Sequence, residues 1–190
     1  RYLSGRAITP PPALFAGATE NPFAPPFEFR PLRLLKKVEA GVRFIQTQIT
    51  FNLERFASFM ARVRDLGIDR RVPILAGVAP LRSIRAARYL RDRIPGMDVP
   101  DAVVRRMEQA GGGSTRAEEE GIRICVEAIE RIRDIPGIAG FHLMPVHWEA
   151  VVAEIARRAR LTPARAAAAP AAGPTPGVAL SAGHAALAGT

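Results

Sequence analysis

The sequence predicts an α/β fold in which parallel β-strands alternate with α-helices, and three observations support this. Apolar runs rich in β-branched and aromatic residues begin near positions 13, 42, 72 and 138. A stretch with helical periodicity follows each of them, and Gly or Pro turns separate the segments. Such alternation is typical of a parallel sheet covered by helices. Four strand–helix units make half of a (β/α)8 barrel, which normally needs about 250 residues.

The four predicted strands cover residues 13–18, 42–51, 72–78 and 138–144. Four parallel strands alone leave open hydrophobic edges, so we expect the missing half of the barrel upstream or in another chain. The first residue is Arg1 rather than methionine, and residues 1–5 resemble the end of a helix. Both features suggest a fragment.

Helix boundaries follow from capping residues. A short helix begins near Pro31 and ends at Gly41, which can adopt the left-handed conformation. Asn52 is the predicted N-cap of a helix that extends to Leu66, and Ser83 that of a helix that extends to Ile94. The remaining predicted helices are an additional one over 100–110, a long one capped by Thr115 with Glu118, and a last one from His147 through Arg160.

Composition narrows the range of partners. The chain has 190 residues, with 27 basic and 18 acidic side chains and a formal net charge of +9. The arginines are interleaved with acids over several helices, which is typical of solvated faces and argues against nucleic-acid binding; an anionic small ligand fits the excess charge equally well. No run of about 18 uncharged apolar residues occurs, so we expect no membrane association.

Cysteine content and the C-terminal composition give two further expectations. Cys125 is the single cysteine, which excludes an internal disulfide and a cysteine-based metal cluster and favours a reducing cytoplasm. It shares an apolar helix stripe with Ile122, Ile129 and Ile132 and is predicted to be inert core. Residues 163–190 consist mostly of Ala, Pro and Gly and are predicted to be a disordered tail on a domain of residues 1–162.

Two polar pairs have more than one interpretation. Gln46 and Gln48 fall on the same face of an apolar strand, where a buried amide must be hydrogen-bonded. They form either a polar network in the core or a ligand site. Lys36 and Lys37, the two lysines of the chain, lie at the end of the first helix. They form either a solvated helix face or the cationic part of an anion site.

Five sequence strings, in order along residues 2–161, resemble the C-terminal half of 5,10-methylenetetrahydrofolate reductases: LFAGATENPFAPP, KKVEAGVRFIQTQITFNLERF, VPILAGVAPLRS, EEEGIRICVEAIERIRDIPGIAGFHLM and WEAVVAEI. The second string is the most specific, and the NPF turn is closest to bacterial members. The resemblance implies strands 5–8 of a (β/α)8 barrel that binds FAD. In this family the flavin takes hydride from NAD(P)H and passes it to the folate.

The resemblance also implies roles for individual positions. Gln48 matches the glutamine that hydrogen-bonds the pterin, and Ile84 stands where an aromatic ring stacks on the ligands in enteric members. The positions implied to contact FAD are Asn21, Arg33, Lys36 and Lys37. The family's catalytic glutamate and its acidic flavin partner belong to strands one and four, so no catalytic residue and no metal ligand is expected in this chain.

Three functions remain open at this point. The first is half of a methylenetetrahydrofolate reductase, active only with its N-terminal half in cis or in trans. The second is a non-catalytic half-barrel that pairs with itself or with another protein. The third is a different folate or phosphate-binding barrel, such as a pterin-dependent methyltransferase. The lack of Cys or His clusters with metal-ligand spacing argues against a zinc-dependent thiol methyltransferase.

Overall fold

A computed structural model describes residues 3–10, 13–111 and 114–161, so the predicted tail lies outside the described residues. Four strands form one sheet in the order β1-β2-β3-β4, and every neighbouring pair is parallel. The strands are β1 (Gly17–Glu20), β2 (Phe44–Ile49), β3 (Ile74–Val78) and β4 (Gly140–Leu143). The predicted parallel sheet with strands in chain order is therefore confirmed.

All four strands are shorter than predicted, and the first differs most. Residues 13–16 precede β1, and Leu14 and Phe15 are exposed. Among the described residues β1 pairs with β2 alone, and their pairing begins at Gly17 with Phe44 after one hydrogen bond from Arg43 N to Ala16 O. Because the partner strand starts only after the Gly41 turn, no ladder can form further upstream.

In the described ranges, six α-helices accompany the sheet, and two short 3₁₀ turns precede α1 and α6. The helices are α1 (Arg30–Glu39), α2 (Leu53–Asp65), α3 (Ile84–Arg93), α4 (Asp101–Gln109), α5 (Ser114–Arg133) and α6 (Val152–Arg158). Two predicted caps are confirmed, because Asn52 Oδ1 accepts from Arg55 N and Ser83 Oγ accepts from Ala86 N, each at 3.1 Å. Gly41 adopts the predicted left-handed conformation, with φ of 96°.

Three predictions near chain turns were wrong. Thr115 lies inside α5, which already begins at Ser114, and Glu118 pairs with Arg82 instead of closing a capping box. His147 does not start the last helix, because its φ of 54° interrupts the chain before the 3₁₀ turn Glu149–Val151. Leu3 lies in a turn rather than in a helix end.

Helices cover one face of the sheet. Ile45 of β2 and Ile74 of β3 are fully buried beneath α1, α2, α5 and α6. The predicted α5 stripe is confirmed, since its four members, Ile122, Cys125, Ile129 and Ile132, are all buried. We call this side the covered face and the opposite side the open face. A second cluster lies beside the carboxyl ends of the strands, between α3, α4 and α5.

The pairing of β2 with β3 contains an irregularity that involves a side chain. Their register shifts between Gln46 and Ile49. At this point Thr47 Oγ1 accepts a hydrogen bond of 2.9 Å from Gly77 N, so a buried hydroxyl replaces a backbone carbonyl. The exchange keeps the Gly77 N–H satisfied where the regular ladder is interrupted. In the part of the chain described, no helix is long and apolar enough to cross a bilayer.

Candidate functional site

A groove runs along the open face from the first residues of β1 and β2 to the carboxyl ends of the strands, where parallel α/β folds place ligands. One part of it is a cavity of about 240 Å³, lined by Thr19, Glu20, Asn21, Gln46, Thr47, Gln48, His142 and Met144. The other part, of about 520 Å³, is lined by Gly17, Ala18, Thr19, Lys37, Phe44 and Gln46. Because Thr19 and Gln46 line both, the two parts adjoin, and we call them together the open-face groove.

Gln46 and Gln48 share the open face, as their spacing predicted. Both are half-buried, whereas the alternate residues Ile45, Thr47 and Ile49 are buried. Gln48 Oε1 accepts a hydrogen bond of 3.0 Å from Ile49 N, which holds the amide against its own strand. Within the described residues the Gln48 amide nitrogen has no protein partner, so it is available to a ligand.

Glu20 is a buried carboxylate at the end of β1 and is held by two cations. Its Oε2 accepts from Lys37 Nζ at 2.7 Å, its Oε1 lies 3.8 Å from Arg30 Nη1, and its side chain is 1% exposed. Lys37 Nζ also donates to the Thr19 carbonyl, and Asn21 N donates to Glu20 Oε1. A buried charge is tolerated only when it is paired in this way. Lys37 thus fixes the turn after β1 at the edge of the groove.

Asn21 lines the groove and is fixed by the chain that follows α3. Its Oδ1 accepts from Phe23 N at 3.0 Å, which stabilises the turn. A Cβ added to Gly96 would overlap the Asn21 amide, so the two residues are in close contact. Asp98 in turn accepts from Asn52 Nδ2 at 3.1 Å and from Arg55 Nη1 at 2.6 Å. The segment 94–98 therefore connects the turns that follow β1 and β2.

The remaining residues singled out by the sequence lie outside the cavity around Gln48. Arg33 and Lys36 are exposed on α1, and neither has an ion-pair partner in the described part of the chain. Ile84 is half-buried and packs against the cluster beside α3 and α4. His147 is exposed.

His142 and Thr47 are among the groove residues that the sequence analysis did not single out. His142 of β4 lines the cavity opposite Gln48, and its Nδ1 is buried without a hydrogen-bond partner in the described structure. Alternation along β4, which puts His142 and Met144 on one face, was the signal that could have found it. Thr47 had no such signal, because its role depends on pairing with Gly77.

A separate cavity of about 390 Å³ lies between the end of α4 and the start of α5. Its carboxylates are already paired: Glu119 accepts from Arg158, and Glu120 from Arg106 and Arg123. The Arg158 guanidinium lowers the pKa of Glu119 below its usual range through this hydrogen bond. The cavity therefore has ionic contacts that hold helices together, and it is remote from the amides of the open face.

The thiol of Cys125 is buried in the core. Burial raises the pKa of Cys125 to about 12, which agrees with the prediction of an inert core thiol. No group of three or more His, Cys, Asp or Glu side chains in the described ranges could hold a metal ion.

Comparison with known proteins adds independent information. A family model described as methylenetetrahydrofolate reductase matches residues 22–160. Methylenetetrahydrofolate reductase 2 of Schizosaccharomyces pombe is 31% identical over 132 residues, which cover 67% of this chain and 20% of that protein. A probable methylenetetrahydrofolate reductase (NADPH) of Caenorhabditis elegans is 24% identical over 135 residues, which cover 71% of this chain and 20% of that protein. The chain thus spans about a fifth of the length of these relatives.

A solved structure resembles the fold. It is an uncharacterized protein from Clostridium thermocellum that binds two copies of 5-methyl-5,6,7,8-tetrahydrofolic acid. The TM-score is 0.53 at 16% identity, over 77% of this chain and 53% of that one, so the likeness concerns the fold alone. The family model, in contrast, spans well over half of the chain in sequence, and the chain therefore belongs to the methylenetetrahydrofolate reductase family.

Proposed function

We propose that this chain contributes the folate- and flavin-facing half of a (β/α)8 barrel that reduces 5,10-methylenetetrahydrofolate to 5-methyltetrahydrofolate with NAD(P)H. The observation that carries the proposal is the position of Gln48 in a member of this family. Its amide lines a groove at the carboxyl ends of four parallel strands, with its nitrogen unpartnered by described residues.

The chemistry of the groove suits a pterin ring. A pterin carries hydrogen-bond donors and acceptors on its edges, and amide side chains can match both. Gln46 and Gln48 supply two amides, and Met144 supplies a polarizable apolar contact. The folate ligand described for the Clostridium thermocellum protein is in keeping with this substrate class.

FAD fits the residues on the α1 side of the groove. Lys37 lines the wider part of the groove, Arg33 lies one turn earlier on the same helix, and Lys36 is exposed beside them. The charge of Lys37 is shared with Glu20, so Arg33 and Lys36 are the cations open to a pyrophosphate. Asn21 would face the cofactor from the turn after β1. A bound flavin would supply hydride transfer between the nicotinamide and the folate.

The carboxylate of the open-face groove is poorly suited to act as a proton donor. Glu20 is the one carboxylate that lines the open-face groove in the described structure, and both its oxygens are engaged by cations or a backbone N–H. Such a group is poorly placed to give up a proton during catalysis. We therefore propose that an N-terminal half-barrel, in cis or in trans, completes both the barrel and the catalytic machinery.

The test compares the chain alone with the chain joined to the N-terminal barrel half of a full-length family member. We expect no NAD(P)H-dependent folate reduction from the chain alone and turnover from the joined protein. In the joined protein, Gln48→Ala should lower kcat/KM by about 10–100-fold, because the lost amide leaves polar ligand groups unpaired at a cost of about 1–3 kcal/mol. Lys37→Ala should instead lower flavin content, because it removes a positive charge from the wider part of the groove and releases the turn after β1.

Gln109→Ala is the matched control, because Gln109 is exposed on α4 away from the open-face groove. It should leave both kcat/KM and flavin content unchanged. Full activity of Gln48→Ala would refute the assignment of the pterin site. Folate binding by the joined protein without any turnover would favour the alternative of a non-catalytic binding module.

A further inference from the structure

His142 is a polar side chain of the open-face groove that the proposed function does not yet use. It lies in β4, where Phe141 and Leu143 pack into the core of the covered face. Strand alternation places His142 and Met144 on the opposite side, and both line the cavity that contains Gln48. The histidine is therefore positioned by its strand to meet whatever occupies the groove.

The hydrogen bonding of His142 is incomplete. Its Nδ1 is buried and has no partner within the described residues. A buried polar atom without a partner costs about 1–3 kcal/mol, so native structures rarely keep one without a reason. The other such side-chain atom in the described ranges, Asp69 Oδ1, lies before β3 and outside the groove.

The strand between His142 and Gln48 leaves room for a flat ligand. Gly77 of β3 pairs with His142, and β3 separates β4 from β2. Two strand spacings, about 9–10 Å, therefore separate the backbones of β2 and β4, which carry the two polar side chains. Gly77 has no side chain, and a Cβ there would overlap the Thr47 carbonyl and the Met144 methyl group. The His142 and Gln48 side chains thus lie on either side of Gly77, where the absence of a side chain leaves space beside Met144.

We propose that His142 is a ligand-binding residue that hydrogen-bonds one edge of a flat heterocycle whose other edge is held by Gln48. The inference rests on the proposed function, in which this heterocycle is the pterin of the folate. Binding, with a turn of the ring that brings Nδ1 to the cavity, gives the imidazole the partner that the protein does not provide. It also explains a polar residue at a strand position where an aliphatic side chain would pack without penalty.

The test uses the joined protein described above, with 5-methyltetrahydrofolate as the probe and calorimetry as the readout. His142→Leu should weaken binding about tenfold or more, while the Tm without ligand stays the same or rises because an unpaired polar group is removed. His142→Asn keeps a hydrogen-bonding atom close to the position of Nδ1 and should restore part of the affinity. His147→Asn, at the exposed histidine, is the matched control and should bind like the parent.

Three results would overturn the inference. Equal affinity of His142→Leu and the parent would show that the imidazole does not contact the ligand. A loss of affinity that accompanies a lower Tm and that His142→Asn does not restore would assign His142 a purely structural role. A parent protein that fails to bind 5-methyltetrahydrofolate would refute the proposed function itself, and the inference with it.

Discussion

The two faces of the sheet differ although the same strands form both. In β2, Ile45 is 0% exposed on the covered face, whereas Gln46 and Gln48 remain half-buried on the open face. The covered face is closed by four helices, and the open face bears the groove. Folding free energy is thus concentrated on one side, and polar groups suited to a ligand are concentrated on the other.

Thr47 and Glu20 show how the two faces are connected. Both are polar and about 3% exposed, and both also line the groove. Thr47 satisfies Gly77 N where the β2–β3 register shifts, and Glu20 anchors the turn after β1 through Lys37. Buried polar groups therefore fix the backbone on which the groove residues are mounted.

The largest difference in stability between the two faces is expected when a phenylalanine on each face is replaced by alanine. Phe56 of α2 is fully buried, with ring centroids 6.4 Å from Phe23 and Phe59, so Phe56→Ala should cost about 3–5 kcal/mol. Phe44 of β2 is half-buried on the open face, and Phe44→Ala should cost about 1 kcal/mol. Urea unfolding measures both. Equal losses would show that the open face is as well packed as the covered face.

The thiol of Cys125 reports whether the covered face excludes water. Burial raises its pKa from 9.0 to about 12, so the thiolate population near pH 8 falls about a thousandfold. Alkylation by iodoacetamide in native buffer should be correspondingly slow and should become fast in concentrated urea. Rapid labelling of the native protein would show that α5 separates readily from the sheet.

Regular, local patterns predicted the covered face well. The α5 stripe and the strand alternation depend on residues close in sequence, so the sequence alone identified Ile122, Cys125 and the pairing of Gln46 with Gln48 on one face. The family resemblance was confirmed by the match over residues 22–160. The binding roles of Gln48, Lys37 and the other site residues stay predictions.

The features that could not be predicted from the sequence are long-range contacts. Glu20 and Lys37 are 17 positions apart, and Asn52 and Asp98 are 46 apart, so no local pattern relates them. The start of β1 was misplaced for the same reason, because the length of a strand depends on where its partner begins. A histidine inside the string FHLM resembles any other strand residue until Gly77 and Gln48 are placed beside it.

A smaller loss of unfolding free energy is expected at Thr47, the polar residue of β2 on the covered face. Thr47→Val preserves shape but leaves Gly77 N without its acceptor, so the protein should lose about 1–3 kcal/mol of stability. Thr47→Ser keeps the hydroxyl and should lose less than half as much. Urea unfolding measures both variants. If valine and serine behave alike, the side-chain bond to the backbone contributes nothing to the pairing of β2 with β3.

The smallest change in unfolding free energy is expected for Gln46→Val, a replacement by valine one residue before Thr47. Gln46 is half-buried on the open face and its side chain makes no hydrogen bond to other described residues, while valine is well suited to a strand. The free energy of unfolding should therefore change by no more than about 0.5 kcal/mol. Gln46→Val and Thr47→Val place the same side chain at adjacent positions, one on each face of β2. Urea unfolding of the two variants in parallel isolates the effect of the face. A loss at Gln46 as large as that at Thr47 would mean that the open-face amide stabilises the protein itself, and the contrast between the two faces would not hold.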